Sequence, residues 1–231
     1  MLNYHCFFRR DDLARQLAAA IGKTLEAACI DGGGGVFITA GGSTPIETYR
    51  KLNRLDLPWE KITVMPTDER WVPPDHPDSN EAMLRRELLH AGAARARLIS
   101  LVSGDSSPEL AEAEIEKRLY KLSRPSDIVL AGMGEDGHIA SLFPQAAGLT
   151  NALDPCSEKL CRAINTTASA YPRITLTAGA LLQTRRLILL FFGHRKRWVF
   201  ERALAGYDVM DKPVRILLNQ EQVPLDVYWA P

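Results

Sequence analysis

Four short runs of apolar, strand-forming residues punctuate the chain: VFITA at 36–40, ITVMP at 62–66, DIVLAG at 127–132 and RLILLFFG at 186–193. Each empties into a loop marked by glycine or proline, and patterns of helical period lie between them. Runs of this kind, apolar on both faces, read as strands covered on both sides. Strands alternating with helices predict a layered α/β domain with a mostly parallel sheet. In the first helix Leu13, Leu17, Ile21, Leu25 and Cys29 stand four apart behind Asp11, a candidate N-cap. Thr44, Pro45 and Glu47 fall at the positions of a capping box. Asp78 with Glu81 would cap a helix striped by Met83, Leu84, Leu88 and Leu89, and Ser107–Pro108 would open one running through Ile115, Leu119 and Leu122. After RLILLFFG, residues 193–197 join the strand to a helix bearing Val199, Phe200 and Leu204. ARLISLV and VPLDVYWA read as strands, CRAINTT as an edge strand, and the remainder of 148–161 as loop.

With 231 residues, 46% of them hydrophobic, and no repeat or linker, the chain reads as a single domain spanning 1–231. Twenty-eight basic residues balance twenty-eight acidic ones, so no global field favours a nucleic acid or an anionic membrane. No run is apolar enough to span a bilayer, and MLNYHCFFRR lacks the order of a secretion signal, so a cytoplasmic protein is expected. Cys6, Cys29, Cys156 and Cys161 form neither a CxxC pair nor a zinc-ligand spacing and are expected as reduced thiols.

Chemistry concentrates after the strands. DIVLAGMGEDGHIASLFP carries glycines at 132, 134 and 137 together with Glu135, Asp136 and His138, just where α/β sheets bind ligands. GMGEDG also spells the dinucleotide pattern, but Pro144 denies it the long helix it needs, and Asp154 sits in a turn-like LDP instead of ending a second strand. Gly41, Gly42 and Ser43 lie between a strand end and a helix start, a place for phosphate or carboxylate, or simply a capped turn. Asp68, Glu69 and Arg70 follow the 62–66 strand into a proline-stiffened loop. There, His76 between Asp75 and Asp78 reads as a solvated turn in preference to a metal site. Arg195, Lys196 and Arg197 crowd a helix start whose dipole disfavours cations, which suggests a compensating anion.

Taken in order, GGSTPIETY, TDERWVPPDHPDSN, AGMGEDGHIASLFP, PRITLT and FFGHRK resemble the 6-phosphogluconolactonase family, within the larger group that includes glucosamine-6-phosphate deaminases. The resemblance implies a NagB-like fold with a Rossmann-like sheet flanked by helices. It also implies hydrolysis of 6-phospho-D-glucono-1,5-lactone to 6-phosphogluconate in the oxidative branch of the pentose phosphate pathway. Deaminases typically continue DGHIAFNEP, with the glutamate taking part in sugar-ring opening; here Ser141, Leu142 and Phe143 precede Pro144, and no carboxylate stands there. A non-catalytic sugar-phosphate sensor would not need His138, Asp136 and Asp68 together. Lactone hydrolysis needs an activated water, an oxyanion site and an acid for the leaving alcohol. His138 is the expected general base, with Asp136 or Asp68 holding its ring or positioning substrate hydroxyls, and with N–H groups at Gly132, Gly134 and Gly137 for the oxyanion. The resemblance carries the phosphate role to Gly42, Ser43, Arg70, Arg173 and Lys196, with Arg195 and Arg197 as alternatives to Lys196. Neither a metal nor an organic cofactor is expected, because a lactone carbonyl is already electrophilic. The expected partner is a small phosphosugar lactone, with no nucleic acid or membrane partner, and the expected state is a monomer or weak homodimer.

Overall fold

The computed structural model describes residues 2–31, 33–122, 124–154 and 157–231. Gly32, in the first glycine run, and Cys156, one of the four thiols, lie outside the described residues. In chain order the elements are β1 (Leu2–Cys6), α1 (Arg10–Ile30), β2 (Gly35–Thr39), α2 (Ile46–Leu52), β3 (Ile62–Pro66), β4 (Asp68–Arg70), α3 (Asn80–Glu87) and β5 (Arg97–Leu98). They continue with α4 (Pro108–Leu119), β6 (Ile128–Gly132), α5 (Leu149–Leu153), β7 (Cys161–Ile164), β8 (Arg173–Leu176), α6 (Ala178–Leu182), β9 (Leu187–Phe192), α7 (His194–Leu204), α8 (Arg215–Leu218) and β10 (Leu225–Ala230).

Seven strands form one parallel sheet in the order β1-β10-β9-β6-β2-β3-β5. Alternate side chains of each central strand enter opposite cores. Phe37 of β2 packs with Leu13 of α1, Tyr49 of α2 and Met83 of α3, while Val36 and Ile38 face Ile115 of α4, Leu181 of α6 and Val199 of α7. The α1 residues Leu13, Leu17, Ile21 and Leu25 are fully buried, each contributing about 1.5–3 kcal/mol. From β2 the chain moves through β3 to β5 on one side; from β6 it moves through β9 to β10 on the other. The loops leaving β2 and β6 therefore diverge, and a crevice opens between them, as at the switch points of doubly wound sheets.

A second sheet, β4-β8-β7, is antiparallel and was not evident in the sequence. Thr67 ties it to the first: its N–H donates to Thr39 O at 2.9 Å and its carbonyl accepts from Leu176 N at 2.9 Å. The expected CRAINTT edge strand is β7, ending at Ile164 on the rim of this small sheet.

Several local expectations are corrected. Strand β1 was not foreseen because its residues are mostly exposed, without an apolar run. Helix α1 starts at Arg10, so Asp11 lies in its first turn and pairs with Lys51 at 2.6 Å instead of capping. The capping box at Thr44 does not form; Pro45 precedes α2, no side chain caps it, and Glu47 pairs with Arg50 at 2.8 Å. Ser79, not Asp78, caps α3, accepting from Ala82 N. ARLISLV contributes only Arg97–Leu98 to the sheet, and Leu204 of α7 points largely to solvent. Among the described residues no helix is long and apolar enough to cross a membrane.

Candidate active site

A cleft of about 390 Å³ opens beyond the carboxyl ends of β2 and β6, within the range of small-molecule sites. Gly42, Ser43, Asp68, Arg70, Gly132, Gly134, His138, Arg173 and Lys196 all line it. Asp136 and Gly137 are not among its lining residues.

On the β6 side, the Asp136 carboxylate accepts from His138 twice, from ring Nδ1 at 2.6 Å and from the backbone N–H at 3.0 Å. Burial pushes the Asp136 carboxyl up, but the hydrogen bonds and charge of His138 outweigh it and leave the carboxyl below its ordinary range. In the neutral ring, the tautomer that donates Nδ1–H to this carboxylate leaves the lone pair on Nε2. The ring lies against Phe143 with centroids 4.4 Å apart, and its side chain is 30% exposed. Gly134 makes room for the pair, since a Cβ there would overlap the His138 ring. Asp68 was the alternative partner of His138; it bonds elsewhere, and Asp136 holds the ring.

The glycine N–H groups are mostly engaged within the loop. Gly134 N donates to His138 O at 2.9 Å, and Gly137 N donates to Gly134 O at 3.2 Å. Gly137 also faces away from the cleft, its carbonyl accepting from Val214 N and its Cα facing Lys212. Two of the three expected oxyanion donors are thus corrected: the tight turn that presents His138 uses their hydrogens itself.

The opposite wall is the small sheet. Antiparallel pairing sets Arg70 of β4 directly opposite Arg173 of β8. Asp68 accepts from Ser141 Oγ at 2.5 Å, Thr67 Oγ1 at 3.0 Å and Arg173 Nη1 at 3.5 Å. Arg173 also donates from Nε to Ser169 Oγ at 2.9 Å and lies 5.6 Å over the Phe143 ring. Burial lowers the Arg173 guanidinium below its ordinary range, and the charge of Arg70 adds to this against the pull of Asp68. Lys196, in the first turn of α7, is likewise pushed down by burial, with Glu135 and Asp136 pulling the other way. Its neighbours turn outward: Arg195 pairs with exposed Glu135 at 2.9 Å, and Arg197 pairs with Glu201 and covers Trp229. Of the three basic residues, Lys196 is the one that lines the cleft.

Asn80, Ser169 and Phe143 also contribute to this site. Nothing in periodicity marks them, because their roles come from contacts with β4, β8 and His138. His76 accepts from Asp78 N at 3.1 Å and meets the Tyr171 ring edge-on, the part of a turn residue. Among the described residues no three His, Cys, Asp or Glu side chains are grouped to hold a metal ion.

Fold and cleft together define a NagB-like α/β protein with an aspartate–histidine pair facing three cationic side chains. Residues 9–229 match the family described as glucosamine-6-phosphate isomerases/6-phosphogluconolactonase, and the chain belongs to that family. It is 38% identical over 229 residues to a 6-phosphogluconolactonase of Rhizobium meliloti, covering 99% of both chains. It is 37% identical over 218 residues to the one from Pseudomonas aeruginosa, covering 94% of this chain and 90% of that one. The crystal structure of a 6-phosphogluconolactonase from Shewanella baltica superposes with a TM-score of 0.97 at 35% identity, covering 100% of this chain and 98% of the other.

Proposed function

We propose that residues 1–231 act as one catalytic domain, a cytoplasmic 6-phosphogluconolactonase that works as a monomer or weak homodimer. It hydrolyses 6-phospho-D-glucono-1,5-lactone to 6-phospho-D-gluconate. The observation that carries this reading is that His138 and Arg173 pack against the same Phe143 ring and line one cleft. One hexose phosphate can then present its lactone to the imidazole and its phosphate to the cations.

In this mechanism Nε2 of His138 takes a proton from water as the water oxygen attacks the lactone carbonyl. Negative charge collects on the former carbonyl oxygen, and the tetrahedral intermediate collapses with cleavage of the bond to the ring oxygen. The imidazolium returns its proton to that oxygen, which leaves as the C5 hydroxyl, and the carboxylic acid so formed gives its own proton to bulk water, leaving the carboxylate of the open chain. Asp136 keeps the ring in the tautomer this requires and stabilises the transient imidazolium. Arg70, Arg173 and Lys196 bind the phosphate, the two arginines by paired N–H groups and the lysine as a point charge. Ser43 and Gly42 complete the phosphate wall, and Gly132 remains as the loop's oxyanion candidate. Asp68 keeps Arg173 in place across the sheet.

The relatives named 6-phosphogluconolactonase support this branch over the deaminases. Phe143 supports it physically, because the position where a deaminase carries its ring-opening glutamate here holds an apolar ring beneath His138. The test is an assay with freshly generated 6-phosphogluconolactone, run beside glucosamine 6-phosphate. Acid release well above the spontaneous rate, with no ammonia from the amino sugar, is the expected result. Binding without turnover would identify a sensor instead.

A further inference from the structure

We infer that Asn80 is a positioning residue that aims Arg70 into the cleft, and that Gly41 lacks a side chain to leave room for it. The inference deepens the lactonase reading and rests on it for the identity of the bound anion.

Asn80 opens α3 and is 2% exposed. Its Nδ2 donates to the Asp68 carbonyl at 2.7 Å, and its Oδ1 accepts from Arg70 Nη1. A carbonyl can only accept, so the amide has one workable orientation. Turned over, it would set its NH₂ against a guanidinium and its oxygen against an oxygen. The backbone is fixed as firmly. The buried Glu69 carboxylate accepts from the N–H groups of Asn80 and Glu81 at 2.7 Å and of Arg70 at 2.8 Å, and from Ser79 Oγ at 3.0 Å. Those four bonds pin the start of α3 to β4, so Asn80 presents a preset acceptor to the strand beside it.

Arg70 needs such an acceptor because the like charge of Arg173 stands opposite it in the β4–β8 register. Asp68 and Ser169 hold Arg173. The side-chain bond that holds Arg70 comes from Asn80. Without it, repulsion and hydration favour rotamers that carry the guanidinium away from the cleft. Gly41 closes the chain of contacts. A Cβ built there would overlap Oδ1, Cγ and Nδ2 of Asn80, so the 41–43 turn, the amide and the guanidinium are packed as one unit.

Titration calorimetry with 6-phosphogluconate, and with gluconate as the phosphate-free control, reads this out without turnover. Asn80→Ala should weaken 6-phosphogluconate about tenfold, the scale of one misplaced charge-assisted contact, and leave gluconate unchanged. Gly41→Ala should reproduce that loss, which keeps the test open if Asn80→Ala folds poorly. Because Asn80 acts through Arg70, Asn80→Ala combined with Arg70→Ala should bind no more weakly than Arg70→Ala alone. Wild-type affinity in folded Asn80→Ala or Gly41→Ala, with Arg70→Ala weakened, would overturn the inference and leave the lactonase reading standing. Additive losses in the double variant would overturn it too. A wild-type protein that does not bind 6-phosphogluconate would remove the functional reading, and this inference with it.

Discussion

On one wall of the cleft, the loop after β6 makes its working pair from Asp136 and His138, two positions apart, and closes on itself through Gly134 and His138. On the facing wall, Asp68 meets Ser141 from 73 positions away and Arg173 from 105 away. The first wall is partly open to water; the second is buried, with Asp68 6% exposed and the Ser141 side chain that reaches it from the β6 loop fully inaccessible. Local bonds close short loops at little entropic cost, whereas the distant ones exist only once the whole fold has assembled. Removing a group from the first wall should therefore damage chemistry and spare stability. Removing one from the second should do the reverse.

The largest effect is expected at His138. General-base catalysis commonly supplies ~10²–10⁴ in rate, so His138→Ala should lower kcat by that factor, about 3–5 kcal/mol in the barrier. Because the ring is 30% exposed and bonded only to its own loop, the melting temperature should move little. Steady-state kinetics beside thermal melting checks both halves. Near-wild-type kcat would remove His138 as the base.

Next is Ser141→Ala, three residues beyond His138 but bonded into the facing wall at Asp68. It deprives a buried carboxylate of its shortest hydrogen bond, and such bonds to charged groups are worth about 1.5–3 kcal/mol. Urea unfolding should show a lower midpoint with an unchanged slope, while kcat stays within a few-fold of wild type. If kcat collapsed with stability intact, Asp68 would belong to the chemistry and the division between the walls would fail.

The same division explains what could be read before the fold was known. The β6 loop was legible because its glycines, Asp136 and His138 are adjacent in sequence, and the strand ahead of them is an unbroken apolar run. Family motifs supplied Arg70, Arg173 and Lys196, but not what holds them. Asn80 looks like any polar residue at a helix start, and Ser169 like any serine in a loop. The three-stranded sheet stayed hidden because β4 is three residues long and carries charge at every position. Its strand character comes from pairing with β8, not from its own composition. Strand β1 escaped for the same reason; among the described residues its strand partner is β10. The oxyanion assignment erred differently: the glycine count was legible, but not which N–H groups the turn would use for itself.

The smallest effect concerns acid, where a carboxylate from each wall should respond with opposite sign. Asp136 is held below its ordinary range, because the bonds and charge of His138 outweigh the upward push of burial. Glu69 is held above its own, because burial outweighs its four hydrogen bonds. A depressed folded-state pKa means that Asp136 adds stability above its unfolded value of about 3.9, and that this is lost as the pH falls through the lower folded value. For Glu69 the order reverses: its relative stabilisation is complete below about 4.3 and disappears as the pH rises through its elevated folded value. Carboxyl-carbon NMR should show the two titrating on opposite sides of the ordinary range. In stability, the gap between wild type and Asp136→Asn should narrow steadily on acidification. It should be modest throughout, because the Asp136 side chain is 44% exposed and water screens it. A gap that stayed constant with pH would mean that the loop is held by packing alone, and the electrostatic half of the contrast between the walls would go.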